Sequence, residues 1–206
     1  MEMENIILDF SGTVADDRQR VFQTMNRTLE SYGKQGINFA TWKTVMSMDF
    51  KTMWSNLGVN APLDEIVRKY KELYSNGPKV EPIPGNFEAI KTLSTFYGVS
   101  SLSVLSACPQ KQLEEHLEEL KLLRYFGGVF GNQTKKEETL KIFGVGSSLF
   151  AGDMESDAIA ANLAGVDFVA IDNSYAYHNK ERLAKHNPRY IINHLNEILN
   201  IAQNER

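Results

Sequence analysis

Ile6-Ile7-Leu8-Asp9-Phe10-Ser11-Gly12-Thr13-Val14 is the stretch whose reading decides the fold. Three aliphatic residues in succession, bounded by a glycine turn, make a short strand with no polar face, as in a parallel sheet covered on both sides. Asp9 closes that strand. An isolated buried carboxylate is strongly disfavoured unless a cation or several donors meet it. In open α/β sheets, ligands bind in the crevice beyond the carboxyl ends of the strands. Asp9 is therefore either a ligand-facing group or a cap for the next turn, since Asp is also common where strands give way to loops.

Working outward, Asp16 or Asp17 can cap a helix whose Val21, Phe22, Met25, Leu29 and Tyr32 share one face, stopped by Gly33. Three further helical patterns follow, carrying Trp42, Val45 and Met46, then Phe50, Met53, Trp54 and Leu57, then Ile66, Val67, Tyr70, Leu73 and Tyr74. These stripes read as the core of a helical bundle, and no strand is expected among them. Gly77-Pro78 and Pro82-Ile83-Pro84-Gly85 form a stiff connector suited to a hinge.

Beyond Asn86 helix and strand alternate. Helices are predicted from Phe87 to Gly98, Gln110 to Leu123, Glu137 to Phe143, Ser156 to Ala164 and Leu195 to Ala202. Strands are predicted at Val99 to Leu105, Val129-Phe130, Leu149-Phe150-Ala151, Phe168 to Ile171 and Tyr190-Ile191-Ile192. The expected fold is α/β, a doubly wound, mostly parallel Rossmann-like sheet over residues 1–15 and 82–206, interrupted by a small all-helical domain over residues 16–81.

A chain of 206 residues with 42% hydrophobic and 23% charged side chains can bury a sizeable core and has the balance of a soluble globular protein. The net charge of −4, with 22 Lys and Arg spread along the chain, leaves no basic stripe for nucleic acid. Met1-Glu2-Met3-Glu4 lacks the basic start and apolar run of a signal peptide, and no apolar stretch nears the ~20 residues that span a bilayer. One cysteine, Cys108, allows no internal disulfide and reads as a loop or core thiol. A cytoplasmic protein with neither membrane nor nucleic-acid partner is expected; its oligomeric state is not readable.

The predicted strand ends collect polar residues on one edge of the sheet. The first ends in Asp9 and the second in Ser106; Lys135-Lys136 opens the helix after the third; the fourth ends in Gly152-Asp153-Met154-Glu155-Ser156-Asp157. A strand-end carboxylate repeated on a second strand suits a hard cation such as Mg²⁺, which takes oxygen ligands and usually one or two carboxylates. Taken singly, each has a bland reading: Ser106 as a turn residue, Lys136 as a solvated helix start, Asp157 as an acidic residue in a first helical turn.

This set resembles the haloacid dehalogenase-like superfamily of phosphohydrolases, and the helical insert is placed as in its phosphoglycolate phosphatase and phosphonatase branches. The resemblance implies Asp9 as nucleophile, with Gly12 and Thr13 completing its motif and Ser106 bonding the phosphoryl group. Lys136, or its neighbour Lys135, is the implied phosphate-gripping lysine, and Asp153 and Asp157 the acidic motif that holds Mg²⁺. Chemically, Asp9 would attack phosphorus to give an aspartyl-phosphate, with Mg²⁺ held by Asp9, the Ser11 carbonyl and Asp153. The expected substrate is a small phosphorylated metabolite.

Two positions depart from that pattern. Ser11 stands where the phosphatases carry a second aspartate, their general acid and base, and Ala107 follows Ser106 where Asn is frequent. A positioned acid–base group contributes roughly 10² to 10⁴ in rate, and a serine hydroxyl cannot supply it near neutral pH. Three readings stay open: a slow or specialised phosphatase suited to acyl or aryl phosphates, a carbon–phosphorus hydrolase using Lys51, or a phosphometabolite- or protein-binding protein without turnover. His116, His178, His186 and His194 show no metal-ligand spacing and read as surface or helix residues; Asn173 and Ser174, after the fifth strand, read equally as rim residues of the site or as loop-forming residues. Trp42, Trp54, Met46 and Met48 are candidates to shape specificity from the insert.

Overall fold

A computed structural model of the chain describes residues 4–47, 49–144 and 146–204, with side chains to Ile201. In order, the elements are β1 (Asn5–Asp9), β2 (Ala15–Asp16), α1 (Arg18–Ser31), α2 (Phe39–Val45), α3 (Phe50–Asn56), α4 (Leu63–Ser75), β3 (Glu81–Pro82), α5 (Asn86–Tyr97), β4 (Leu102–Leu105), α6 (Gln110–Glu119), β5 (Gly128–Phe130), α7 (Lys136–Leu140), β6 (Ser148–Gly152), α8 (Glu155–Ala164), β7 (Asp167–Ile171), α9 (Lys180–Leu183), β8 (Tyr190–Ile192) and α10 (Glu197–Asn204). The chain divides into two compact units, residues 1–16 with 81–206 and residues 17–80.

The larger unit is a six-stranded sheet in the order β5-β4-β1-β6-β7-β8, with every pairing parallel. β1 lies inside, pairing Asp9 with Leu105 on one side and Leu8 with Ala151 on the other. Ile6, Ile7 and Leu8 are fully buried, which accounts for the absence of a polar face in the opening stretch and stabilises by about 1.5–3 kcal/mol per side chain. From β1 the chain winds outward through β4 to β5, then returns to β6 on the opposite side. The crevice between β1 and β6 is thus the topological switch point, where the outgoing loops part and ligands bind in such sheets. One face is filled by Phe150, Phe168, Leu105 and Leu140 with Ala158, Ala161 and Ala164 of α8.

Several predicted boundaries shift for local reasons. Val99–Ser101 is a 3-10 turn, and β4 begins only at Leu102. The helix from Gln110 stops at Glu119, because Lys121 turns left-handed at φ 60° and lets the Leu122 amide bond back to the Leu117 carbonyl. The chain after Leu140 tightens into a 3-10 turn, Lys141–Phe143. Three elements had no sequence expectation. β2 and β3 form an antiparallel ribbon where the chain leaves and re-enters the larger unit, and α9 is only four residues long, started by the Asn179 side chain.

The smaller unit is helical. Its two seven-residue helices would be marginal alone, and each has a side-chain cap, Asn38 for α2 and Asp49 for α3. Trp42 is fully buried against Phe22 and Phe39, and Trp54 is buried beside Tyr70. Trp42, Trp54 and Met46 are therefore core residues of this unit, as their stripes predict, and their burial speaks against the candidate specificity role; Met48 lies outside the described residues. Arg20 is buried because its guanidinium donates to the carbonyls of Tyr74, Ser75 and Pro78, satisfying acceptors that the end of α4 leaves open. No helix among the described residues is long and apolar enough to cross a membrane.

Candidate active site

The sheet register explains why distant residues meet. Asp9 ends β1, and Ser106 follows Leu105, the residue paired with Asp9. Asp153 follows Gly152 at the end of β6, one strand over on the other side. Oxygens of Asp9, Asp153 and Asp157 lie within 4.8 Å of one another, and all three residues are buried. Lys136, the first residue of α7, sends its Nζ between two of them, 2.5 Å from Asp9 Oδ1 and 2.7 Å from Asp157 Oδ1.

Each carboxylate is held differently. Asp157 gives one oxygen to Lys136 and the other, at 3.0 Å, to the Met154 amide, so it fastens the start of α8 and aims the lysine. Asp153 accepts the Tyr177 amide on Oδ2 at 2.5 Å and the Thr13 hydroxyl on Oδ1 at 3.4 Å. Glycine is required at two places. A Cβ on Gly12, at φ +75°, would come within 2.4 Å of Asp153 Oδ2, and one on Gly152 within 2.6 Å of Asp157 Oδ2.

The two neighbouring lysines differ in exposure. Lys136 has a side chain 9% exposed, whereas the Lys135 side chain is 71% exposed and pairs with Glu138. Lys135 is not brought to the carboxylates. Ser106 is buried, and its Oγ accepts the Cys108 amide at 3.1 Å, which leaves the hydroxyl proton for another acceptor. Ser11 sits half-buried in the turn after β1, bridged to Ala15, and Ala107 is half-buried beside Ser106.

Sequence reasoning missed three supports of this arrangement. The buried Asn86 amide donates to the carbonyls of Thr13 (2.7 Å) and Val14 (3.1 Å), pinning the turn that carries Ser11 and Gly12. Tyr177 and His178 hold the Asp153 segment from the loop after β7. His178 and His116 are buried. His116 lies on α6, within the surface-or-helix expectation, and its ring stacks on Phe10 with centroids 6.1 Å apart, whereas His178 is a buried loop residue outside that expectation. Asn173 shapes its own loop, its Oδ1 accepting the amides of Tyr175 and Ala176. A Pro-Gly-Asn run at a helix start was the one available hint of Asn86; the other two contacts leave no periodic mark.

Three buried carboxylates face one ammonium. Burial pushes the Asp9 carboxyl up to about 7, against the pull of Lys136 and with a further push from Asp157. Burial, then the neighbouring charges of Asp9 and Asp157, hold Asp153 well above the usual carboxylate range. Lys136 is raised despite its own burial, because Asp157 and Asp9 favour its charged form. This excess of hard anionic oxygens, from Asp9, Asp153 and Asp157, is a donor set that fits a divalent cation.

A pH-dependent stability follows. Asp9 and Asp153 bind protons more tightly folded than unfolded, so metal-free protein loses stability as pH rises from the ordinary carboxylate range toward about 7. Thermal melting is expected to show Mg²⁺ raising the midpoint by several degrees at pH 7.5 and hardly at pH 5. An equal shift at both pH values contradicts this charge balance.

The sequence pattern of haloacid dehalogenase-like hydrolases matches residues 6–171, from the second residue of β1 to the end of β7. A phosphoglycolate phosphatase of Pseudomonas syringae pv. tomato is 31% identical over 148 residues, which cover 66% of this chain and 52% of that protein. The chain thus spans about half the length of the first curated relatives it matches. A phosphoglycolate phosphatase of Mesorhizobium japonicum is 23% identical over 217 residues, 94% of this chain and 92% of that one. A hydrolase of the haloacid dehalogenase-like family from Streptococcus pneumoniae shares the fold, with a TM-score of 0.82 at 17% identity, over 97% of this chain and 98% of that one. With the sheet order, the acidic crevice and a family match over most of its length, this chain belongs to the haloacid dehalogenase-like hydrolases.

Proposed function

We propose that the protein is a phosphatase that hydrolyses a small phosphorylated metabolite through Asp9. One observation carries the reading: a buried carboxylate at the end of an inner strand, 2.5 Å from a buried lysine, with two further carboxylates within 4.8 Å. Asp9 attacks phosphorus, forming an aspartyl-phosphate as the leaving group departs; water then attacks phosphorus, releasing inorganic phosphate and restoring Asp9. Lys136 and the Ser106 hydroxyl stabilise the equatorial oxygens, where charge gathers in the transition state. Asp9, Asp153 and the Ser11 carbonyl would hold Mg²⁺. When bound, the ion supplies neutralisation between anionic nucleophile and anionic substrate. The helical unit, residues 17–80, would serve as the cap that selects substrate.

Phosphoglycolate, the substrate named for the Pseudomonas relatives, belongs in the first panel with acetyl phosphate and p-nitrophenyl phosphate. Ser11 offers no acid for an alkyl leaving group, so turnover is expected on the acyl and aryl phosphates ahead of phosphoglycolate. No Mg²⁺-dependent phosphate release from any of the three would contradict the proposal and favour a binding protein. Lys51 stands exposed on α3, and no observation raises carbon–phosphorus cleavage above this reading. Ser11→Asp is expected to increase alkyl phosphate turnover by about 10²-fold; an unchanged or lower rate would show that protonation of the leaving group is not what limits it.

A further inference from the structure

Asp153 is braced from a part of the chain that carries none of the recognised motifs. Tyr177 and His178, consecutive and buried in the loop between β7 and α9, reach across to residues 153–155. The Tyr177 amide donates to the Asp153 carboxylate at 2.5 Å, and the His178 amide donates to the Asp153 carbonyl at 3.3 Å. The His178 ring then accepts the Glu155 amide on Nδ1 at 3.0 Å. Further along, Arg182 of α9 and His186 of the 3-10 turn after it both engage the Glu155 carboxylate, so the braced segment is also tied to the elements that follow the loop.

An amide N–H only donates, so the Nδ1 facing it carries no proton and the neutral ring must be the Nε2–H tautomer. The ring does what a capping side chain does for a helix start. It takes the first amide of α8, which the helix cannot satisfy. Because that amide lies two residues beyond Asp153, fixing it fixes the turn from which the carboxylate projects.

We infer that His178 is a positioning residue for the metal site: its Nδ1 anchors the Glu155 amide, and through it the direction in which Asp153 presents its oxygens. This rests on the proposed role of Asp153 as a metal ligand. The chemistry needed at position 178 is a hydrogen-bond acceptor at ring depth, rather than ring volume or charge.

Two substitutions separate acceptor from volume. His178→Asn keeps an acceptor near the place of Nδ1 but loses bulk; His178→Phe keeps the bulk and loses the acceptor. Mn²⁺ affinity of the full chain, titrated by electron paramagnetic resonance without substrate, is expected to fall about 10–100-fold in His178→Phe and to stay within about threefold of the parent in His178→Asn. The reverse ranking, or parent-like affinity in His178→Phe, overturns the inference. Asp153→Asn is the reference: its loss of Mn²⁺ binding with His178→Phe unchanged leaves the metal reading standing and the inference refuted. Parent-like binding in Asp153→Asn refutes both. Nitrogen-15 spectra of the parent protein add a test that needs no variant: His178 is expected as the Nε2–H tautomer, and the Nδ1–H form overturns the assignment.

Discussion

Asp9→Asn is expected to reduce Mg²⁺-dependent phosphate release from acetyl phosphate by at least about 10³-fold, because the amide has no anionic oxygen to attack phosphorus. The same change is expected to leave the metal-free fold intact or slightly firmer at pH 7.5. Asp9 is one of three buried carboxylates crowded within 4.8 Å, and burial already pushes its pKa up to about 7. Replacing it by its neutral isostere removes a repulsive charge, while Lys136 keeps Asp157 at 2.7 Å. Loss of turnover with an unchanged or higher melting midpoint in chelator is therefore the signature of a chemical role. A fall in both together would make Asp9 a structural residue.

Lys136→Met is expected to damage both activity and stability. Its Nζ bonds two of the three carboxylates, Asp9 and Asp157, and its side chain is only 9% exposed. Removing one partner of a buried ion pair typically costs about 3–5 kcal/mol, since the opposite charge stays buried without it. Denaturant titration in chelator at pH 7.5 should show a loss of that order. The loss should shrink at pH 5, where raised carboxyl groups such as Asp9 take up protons. Phosphate release is expected to fall by about 10²-fold or more through the missing grip on the phosphoryl oxygens. Lys135→Met is the control. With its side chain 71% exposed and paired only across a helical turn, it should change stability by less than about 0.5 kcal/mol. Equal effects at the two positions would contradict the placement of Lys136.

The sheet could be read from sequence because parallel strands buried on both faces cannot hide. Ile6-Ile7-Leu8 and Phe168-Val169-Ala170-Ile171 are apolar runs too short for helices, each flanked by turn residues. The edge that gathers Asp9, Ser106 and Asp153 follows from strand direction alone. Lys135 and Lys136 could not be separated, because helix phase depends on where α7 begins, and a one-residue shift rotates a side chain by about 100°. Tertiary hydrogen bonds left almost no mark in the sequence. Asn86 reaches the turn after β1 across 73 residues, and Tyr177 reaches Asp153 across 24. Burial of His178 and Arg20 belongs to the same class: each is a polar residue inside because a backbone group far off in sequence meets it. The aromatic stripes of the helical unit were legible as its core, and Trp42 and Trp54 fill it.

Covalent capture tests the nucleophilic role of Asp9 most directly. Protein mixed with Mg²⁺ and acetyl phosphate, quenched in acid within its turnover time and mapped by mass spectrometry, should carry one phosphoryl group on the peptide containing Asp9, and none in Asp9→Asn. Sustained phosphate release with that peptide unmodified, or undiminished release by Asp9→Asn, would contradict it.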